Sequence, residues 1–280
     1  MKAWQRGILY TAMALAIALI IGILGGIVKG LSFLPWLLPS LSGAEESTVS
    51  AGETAQVYTP AGTVAGLKIE LKAAALEIRT GDAFRAESNL SHLAVTEENG
   101  VWAFRETRSF ISSDAEAHHL ILYIPAQAAL EEVTLDTGAG KVRIDTLTAD
   151  RLELELGAGS FRASTLNATR QADIDGGAGE LRIEGGTLAN LELDMGVGHT
   201  ALTARLNGNC SLDMGVGAAA ITLLGSREEY RLSIDKGLGG VLIAGESVGD
   251  GAAVGNGNTR VKLSGGVGRI TVDYREDTPI

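Results

Sequence analysis

The sequence of 280 residues contains one cysteine, four histidines and five prolines, and aromatic residues make up only 5% of it. The single cysteine, Cys210, excludes an intramolecular disulfide. Its place in an alternating apolar pattern predicts a buried position, where cysteine acts as a small apolar side chain. The four histidines, His92, His118, His119 and His199, lack the spacing of metal ligands. The sequence therefore argues against a disulfide framework and against a histidine metal centre.

Catalytic signatures are missing as well. There is no Ser-His-Asp arrangement, no phosphate-binding loop and no convincing catalytic pair. Gly-x-Gly recurs, but it never opens a helical pattern, as a dinucleotide-binding fingerprint requires. A carbohydrate-active β-helix enzyme would need long loops with clustered acids and bases, and the segments between repeats are too short for these. We therefore expect no catalytic residues, no cofactor-binding residues, no metal ligands, no cofactor and no enzymatic activity.

Positive charge is scarce outside the N-terminus. The net charge is −11, and the first 30 residues hold three basic and no acidic residues. The remaining residues carry 20 basic against 34 acidic side chains, a net charge of −14. Such a surface repels nucleic acid and the anionic face of a membrane, so we expect no nucleic-acid partner.

One pattern fills half of the chain. A Gly-x-Gly motif recurs seven times between residues 133 and 272, at spacings of 19, 20, 19, 19, 22 and 29 residues. The glycine pairs are Gly138/Gly140, Gly157/Gly159, Gly177/Gly179, Gly196/Gly198, Gly215/Gly217, Gly237/Gly239 and Gly266/Gly268. Apolar residues stand five and three positions before the first glycine and four and six positions after it, with Thr200 as the one exception. A fixed period of this length is typical of a solenoid, whose repeats bury their apolar sides against each other.

The alternation on both sides of each glycine pair predicts β-strands. The apolar positions change from odd to even across the pair, and one straight strand cannot bury both sets. The chain must therefore turn a corner or bulge at Gly-x-Gly, where glycine accepts a positive φ. Each coil becomes a strand, a corner, a second strand and a return of a few residues. We predict an all-β fold, a single-stranded β-solenoid of about seven to eight short coils and about 35–40 Å in length.

A degenerate first coil precedes the regular repeats. Leu67 and Ile69, followed by Leu76 and Ile78, occupy the same apolar positions. The segment 72–74, Lys-Ala-Ala, stands where Gly-x-Gly is expected. We therefore predict that the solenoid begins well upstream of the first Gly-x-Gly motif.

A membrane anchor is predicted at the N-terminus. Residues 7–28 carry no charge and would be about 33 Å long as a helix, enough to span the hydrocarbon core of a bilayer. A cleaved signal peptide is the competing interpretation, but the run is long and no small-x-small site closes it promptly. Lys2 and Arg6 precede the run and Lys29 follows it, which favours a cytoplasmic N-terminus and an extracytoplasmic C-terminal domain. We thus expect a single-pass protein of the cell membrane, with one N-terminal transmembrane helix.

The predicted domains follow from these patterns. They are a cytoplasmic stub with the transmembrane anchor (1–30), an interfacial segment and linker (31–64) and the β-solenoid (65–280), with an irregular part (65–130) and regular repeats (131–274). A glycine-rich loop, residues 249–258, is expected before the last coil.

Small residues recur every four positions within the anchor, at Ala14, Ala18, Gly22 and Gly26. Such a stripe lets two membrane helices approach closely, which makes a homo-oligomer one possible assembly. The alternative is that alanine and glycine are simply frequent in membrane helices.

An acidic ladder is predicted on the outside of the solenoid. Six glycine pairs have an acidic residue two positions upstream: Asp136, Glu155, Asp175, Asp194, Asp213 and Asp235. We expect a solvated surface. Calcium between the carboxylates is the alternative, but the calcium-binding nonapeptide repeats place aspartate after their glycines, and this chain does not.

A second outward row lies five positions after the first glycine. It reads Arg143, Arg162, Arg182, Ala201, Ala220 and Leu242. The early coils therefore carry an arginine ladder and the later ones a weakly apolar strip, which indicates a contact surface unless a terminal segment covers it.

Residues 65–274 resemble the bacterial putative-adhesin domain family, a family of unknown function. The resemblance rests on Leu76-Glu77-Ile78, on residues 80–82 and 121–125, and on the serial Gly-x-Gly coils. It implies a β-solenoid fold and a location in the cell envelope. It offers no active-site residues to carry over, because the shared motifs are structural.

We therefore expect a membrane-anchored, extracytoplasmic, non-enzymatic β-solenoid. It would serve as a binding, adhesion or scaffold module at the bacterial cell envelope, with envelope-stress signalling as one role open to it. Its expected partners are the membrane and an unidentified protein or glycopolymer. The alternative is a polymer-forming cytoskeletal solenoid like the bactofilins, on the inner face of the membrane.

Overall fold

The computed structural model describes residues 55–107 and 118–276, and strands dominate this part of the chain. The strands are β1 (Gln56–Tyr58), β2 (Gly66–Ala73), β3 (Ala75–Gly81), β4 (Arg85–Ser88), β5 (Leu93–Glu98), β6 (Val101–Glu106), β7 (His119–Pro125), β8 (Leu130–Ile183), β9 (Thr187–Ala189), β10 (Leu191–Asn207), β11 (Asn209–Leu224), β12 (Tyr230–Lys236), β13 (Gly240–Ile243), β14 (Glu246–Val248), β15 (Ala253–Val254) and β16 (Thr259–Arg275). A short 3-10 turn, Arg227–Glu229, precedes β12. The all-β class is confirmed.

Successive coils stack as parallel strands in register. Leu193 of β10 lies beside Ile174 of β8 and Leu212 of β11, and the glycine pairs align in the same way. The ladder of paired residues continues past the corners, so β8 and β10 each pass through more than one side of a coil. Each apolar side chain therefore stacks on its equivalent in the next coil, as a β-solenoid requires.

The four repeating apolar positions all face the interior. Their residues are no more than 5% exposed, and those before and after the glycines belong to one core, as Leu154 and Phe161 do. The change from odd to even positions is therefore produced by the corner at Gly-x-Gly. Burying a leucine of this kind stabilises the fold by about 1.5–3 kcal/mol.

Thr200 is the polar exception in the core. It is 1% exposed, and its Oγ1 has no hydrogen-bond partner among the described residues. A buried hydroxyl without a partner is destabilising, so we predict that Thr200→Val raises the free energy of unfolding by about 1 kcal/mol. Urea unfolding monitored by circular dichroism measures this change. The control is Thr203→Val at a partly exposed position, expected to change the value by less than about 0.5 kcal/mol. An unchanged or lower value for Thr200→Val would contradict the prediction.

Five of the seven regular coils have a third apolar side, which the repeat pattern does not predict. The returns carry buried leucines, and β9 pairs in parallel with the end of β10. These leucines are Leu147, Leu166, Leu188, Leu206 and Leu223. The expected return of a few residues is thus a short strand, and its apolar side chains complete the core.

The last two coils stack in an order that differs from the order of the sequence. β16 pairs with β11 on one side and with β12 and β13 on the other. The final strand is therefore inserted between coils that precede it in the chain. Ser264 of β16 lies between Asp213 and Asp235, and it separates two carboxylates that would repel by about 1 kcal/mol if they were stacked directly.

The N-terminal end shows the same kind of insertion. β2 and β3 form the degenerate coil predicted from the sequence, and they lie against β8 on one side. On the other side β6 pairs with β2 and β7 pairs with β3, which adds one further layer. The early strands are thus enclosed by strands that follow them in the chain.

Short antiparallel strands cover both ends of the stack. At the N-terminal end β5 pairs with β6 and β4 pairs with β7, while β1 pairs with β4. At the other end β14 pairs with β13 and β15 pairs with β12. These strands occupy the parallel edges, where another chain could otherwise add.

The corner of the degenerate coil is held by a buried acid. Oε2 of Glu106 accepts hydrogen bonds from the backbone N–H groups of Lys72 and Ala73, at 2.8 and 3.1 Å. Glu106 is only 2% exposed. A carboxylate thus satisfies corner amides where the Gly-x-Gly motif is missing.

Several sequence predictions concern the N-terminal residues. The anchor at 7–28 and its stripe Ala14, Ala18, Gly22 and Gly26 lie outside the described residues. Between 55 and 107 and between 118 and 276, the structure has no helix of the length and apolar character needed to cross a membrane. Within the segment predicted as interfacial segment and linker (31–64), Gln56–Tyr58 form the strand β1, which pairs with β4.

Candidate binding surface

The acidic residues predicted on the outside form one surface, which we call the acidic face. It lies on the strands that precede the glycine corners, and its members point away from the core. The members are Asp136, Glu153, Glu155, Asp173, Asp175, Glu192, Asp194 and Asp213. Asp235 belongs to the same row, but Ser264 separates it from them. The predicted acidic ladder is therefore confirmed as a stacked array with one interruption.

Like charges dominate the acidic face. Among the described residues, no lysine or arginine forms an ion pair with any of its carboxylates. Partial burial, followed by the negative charges of Asp175 and Glu192, raises the pKa of Asp173. Partial burial and then the charge of Asp213 raise the pKa of Asp194. The face therefore holds uncompensated negative charge at neutral pH.

This repulsion predicts a pH-dependent stability. A raised pKa in the folded state means that the folded protein binds protons more tightly than the unfolded chain, so stability falls as the pH rises through that window. We predict that the double variant Asp173→Asn/Asp194→Asn is more stable than the parent at pH 7 in low salt, by about 1 kcal/mol or less after screening. The difference should shrink as the pH approaches the ordinary aspartate value near 4. Urea unfolding across pH 4–7 measures it, and a difference independent of both pH and salt would contradict it.

The structure arranges no group of three or more histidine, cysteine, aspartate or glutamate residues to hold a metal ion within residues 55–107 and 118–276. The expectation of a solvated acidic surface without a specific calcium site stays a prediction. Melting with calcium and with magnesium should give similar, salt-sensitive shifts if it is correct.

A shallow groove runs beside the acidic face. It is lined by Asp136, Glu155, Asp175 and Asp194, by residues 137, 156 and 176, and by the first glycines of four corners. These four glycines have no side chain, so the groove exposes backbone there. We call this feature the acidic groove.

The second glycine of the corner has a conformation that other residues rarely adopt. In six of the seven pairs its φ lies between +137° and +156°. A Cβ atom on Gly198 would lie 1.9 Å from the carbonyl oxygen of Gly179 in the neighbouring coil. Glycine is therefore required both by the backbone angle and by the close approach of the coils.

The residue between the two glycines points into solvent, and in four successive layers it is large and apolar. Val197, Val216 and Val267 are 36%, 42% and 40% exposed, and Leu238 is 84% exposed. The three valines lie side by side in register, and β13 and β12 place Leu238 in the next layer. We call these four residues the apolar ridge. The repeat pattern marks them only as corner positions, so this row of exposed apolar side chains was not predicted from the sequence.

The second predicted row is less continuous than expected. Nε of Arg162 lies 3.8 Å from Oε1 of Glu184, and Nε of Arg182 lies 3.2 Å from Oε1 of Glu180. These acids partly neutralise the charge of the arginine ladder. The inserted β16 places Thr271 beside Ala220. The weakly apolar strip predicted for the later coils is therefore interrupted.

Cys210 lies in the core, as predicted. It is 5% exposed, and burial raises the pKa of its thiol. Such a thiol is unreactive in the folded state, which suits a structural role.

The solved structures that are similar to this one include three with about 80% of this chain covered. They are a putative cell adhesion protein from Clostridium sporogenes (14% identity, 80% of this chain and 99% of that chain, TM-score 0.36), a putative adhesin from Bacteroides fragilis (9% identity, 80% and 98%, TM-score 0.37) and a putative lipid binding protein from Parabacteroides distasonis (11% identity, 81% and 98%, TM-score 0.28). No curated protein sequence matches the chain.

The profile of the Toastrack DUF4097 family matches residues 87–217. The matched segment begins in β4, includes all of β8 and ends at the corner of β11. It therefore contains the part of the chain in which the Gly-x-Gly coils are most regular. The resemblance inferred from the sequence is confirmed, because this segment is similar to the Toastrack DUF4097 domain.

Proposed function

We propose that the protein is a membrane-anchored, extracytoplasmic, non-enzymatic β-solenoid that binds or scaffolds a partner at the bacterial cell envelope. Adhesion and envelope-stress signalling are the two roles open to such a module. The observation that carries the proposal is the apolar ridge, a row of exposed large side chains on a regular frame.

The ridge supports a binding role because it is continuous and stiffly held. Single exposed apolar residues are ordinary, whereas a row in successive layers is typical of a contact surface. The flanking glycines stack closely on the neighbouring coils, since a Cβ atom added at Gly198 would lie only 1.9 Å from the carbonyl oxygen of Gly179. A partner would therefore meet a preformed surface and would not have to order it on binding.

The anchoring and the location are supported by the sequence. Residues 7–28 are uncharged and flanked on the N-terminal side by Lys2 and Arg6, which favours a cytoplasmic N-terminus. The acidic bulk of the chain suits a soluble domain that does not adhere to anionic lipid.

The covered ends of the stack favour this proposal over a cytoskeletal polymer. A polymer that grows end to end needs free parallel edges. Here β14 and β15 occupy one end of the stack, and β4 and β5 occupy the other.

Cysteine labelling on intact cells tests the location. Thr278→Cys in a Cys210→Ala background should react with a membrane-impermeant maleimide before lysis. The unmodified chain is the matched control, because buried Cys210 should stay unlabelled until the protein is denatured. Labelling at position 278 only after lysis would contradict the proposed location and favour the inner face of the membrane.

A further inference from the structure

We propose that the apolar ridge and the adjoining carboxylates of the acidic face together dock a cationic amphipathic α-helix of a partner protein, which lies along the axis of the solenoid. This inference rests on the proposed function, because it names the kind of partner that the binding module takes. It commits to one surface, the corner formed by β10, β11, β16 and the β12–β13 connection.

The ridge and the carboxylates of the acidic face in β10 and β11 are close enough for one ligand to contact both. Asp194 and Val197 are three positions apart in β10, at most about 11 Å along an extended chain. Asp213 and Val216 repeat this relation in the next layer. In β10 and β11, each apolar side chain of the ridge thus has a carboxylate beside it in the same layer.

The spacing of the layers favours a helix. Adjacent layers are about 4.8 Å apart, so the four residues of the ridge extend over about 14 Å. A helix along the axis repeats its contact face every turn, about 5.4 Å, and three turns cover about 16 Å. An extended strand repeats its face about every 6.8 Å and covers about 20 Å in three repeats, which loses register with the layers.

The charge of the surface selects the partner. The carboxylates of the acidic face have no basic partner among the described residues, so lysines on the flank of a docked helix would find acceptors there. Lysine suits this position because its flexible stem lets the ammonium group reach a carboxylate at the edge of the contact. A second copy of this chain carries the same net charge of −11 and is repelled. An anionic membrane surface is repelled for the same reason.

The test uses the β-domain and a defined probe. Residues 52–280 form a compact unit by themselves and contain every described strand, so this fragment retains the whole core. The probe is a fluorescein-labelled peptide of about 15 leucines and lysines, with leucines at helical i, i+3 and i+4 spacing. Two control peptides have the same composition in scrambled order and the same pattern with glutamate in place of lysine. Fluorescence anisotropy should show binding of the probe in low salt and at least tenfold weaker binding of both controls.

Two sets of variants assign the site. Val197→Thr/Val216→Thr/Val267→Thr keeps the β-branched shape that strands favour and removes the apolar surface, so folding should be retained. Asp175→Asn/Asp194→Asn/Asp213→Asn removes charge with little change of shape. Each set should weaken binding at least tenfold, and added salt should weaken it in the parent but much less in the charge variant. The matched control, Val57→Thr, changes a valine that is 59% exposed on β1 and should not affect binding.

Other outcomes would overturn the inference. Equal binding of the probe and the scrambled peptide would show charge attraction without a helix site. An unchanged dissociation constant in the threonine variant would show that the ridge is not the contact. If sedimentation shows a dimer that is lost in the threonine variant, the ridge binds a second copy of the chain. If the fragment binds anionic vesicles through the ridge, the ridge binds lipid. None of these results alters cysteine labelling at position 278, so failure here is distinguishable from failure of the proposed location.

Discussion

Replacing Leu193 with aspartate is expected to unfold several coils together. Leu193 is fully buried between Ile174 and Leu212 in the middle of the stack. An aspartate there would place a charge without a partner in the core, and we expect a loss of more than about 4 kcal/mol in the free energy of unfolding. Because each coil is stabilised chiefly by its neighbours, the loss should spread along the stack.

The thiol of Cys210 reports how far the unfolding spreads. It is buried in the coil next to Leu193, so a thiol reagent should label it rapidly in Leu193→Asp and slowly in the parent. Glu192→Ala, at the exposed neighbouring position, is the matched control and should leave labelling slow without lowering the melting temperature. Slow labelling of Cys210 in Leu193→Asp, with only a local change in proteolysis, would show that the coils do not unfold cooperatively.

Substitution of a corner glycine should lower the free energy of unfolding almost as much as Leu193→Asp does. Gly198 has a φ of +150°, and an added Cβ would lie 1.9 Å from the carbonyl oxygen of Gly179. Neither coil can shift alone, because each is hydrogen-bonded on both sides. We expect Gly198→Ala to lower the free energy of unfolding by about 3 kcal/mol or more, measured by urea unfolding.

Gly240 provides the control for that substitution. It lies three positions after the first glycine of its coil, and an added Cβ would meet nothing within 4 Å. Gly240→Ala should therefore be neutral or slightly stabilising, since alanine restricts the unfolded chain. Equal losses from the two substitutions would mean that the close packing at the corner does not decide the cost.

The core of the repeats could be predicted from the sequence because its signal is local. Leu152 and Leu154, or Leu191 and Leu193, alternate at fixed distances from a glycine pair, and burial follows directly from that alternation. The third side was missed because its distance from the glycines varies. Leu147 stands nine positions after the first glycine of its coil, whereas Leu188 stands eleven positions after, so a search at fixed offsets finds no repeat.

The order of the layers could not be predicted from the repeat pattern. β12 and β16 carry the same apolar and glycine positions, so either could stack on β11 in the same register. The choice between them depends on residues outside the pattern, such as Ser264 beside Asp213. The apolar ridge depends on this order as well, because insertion of β16 places Val267 between Val216 and Leu238.

The surface proposed to bind a partner is continuous only if β16 lies between β11 and β12. Disulfide crosslinking in a Cys210→Ala background measures this order directly. Neighbouring layers place Cα atoms about 4.8 Å apart, within reach of a disulfide, whereas alternate layers are about 9.6 Å apart, which is too far. We predict that Val216→Cys/Val267→Cys crosslinks within one chain under mild oxidation, while Val216→Cys/Leu238→Cys does not. A crosslink between positions 216 and 238, with none between 216 and 267, would show that the coils stack in sequence order and that the ridge is not built as described.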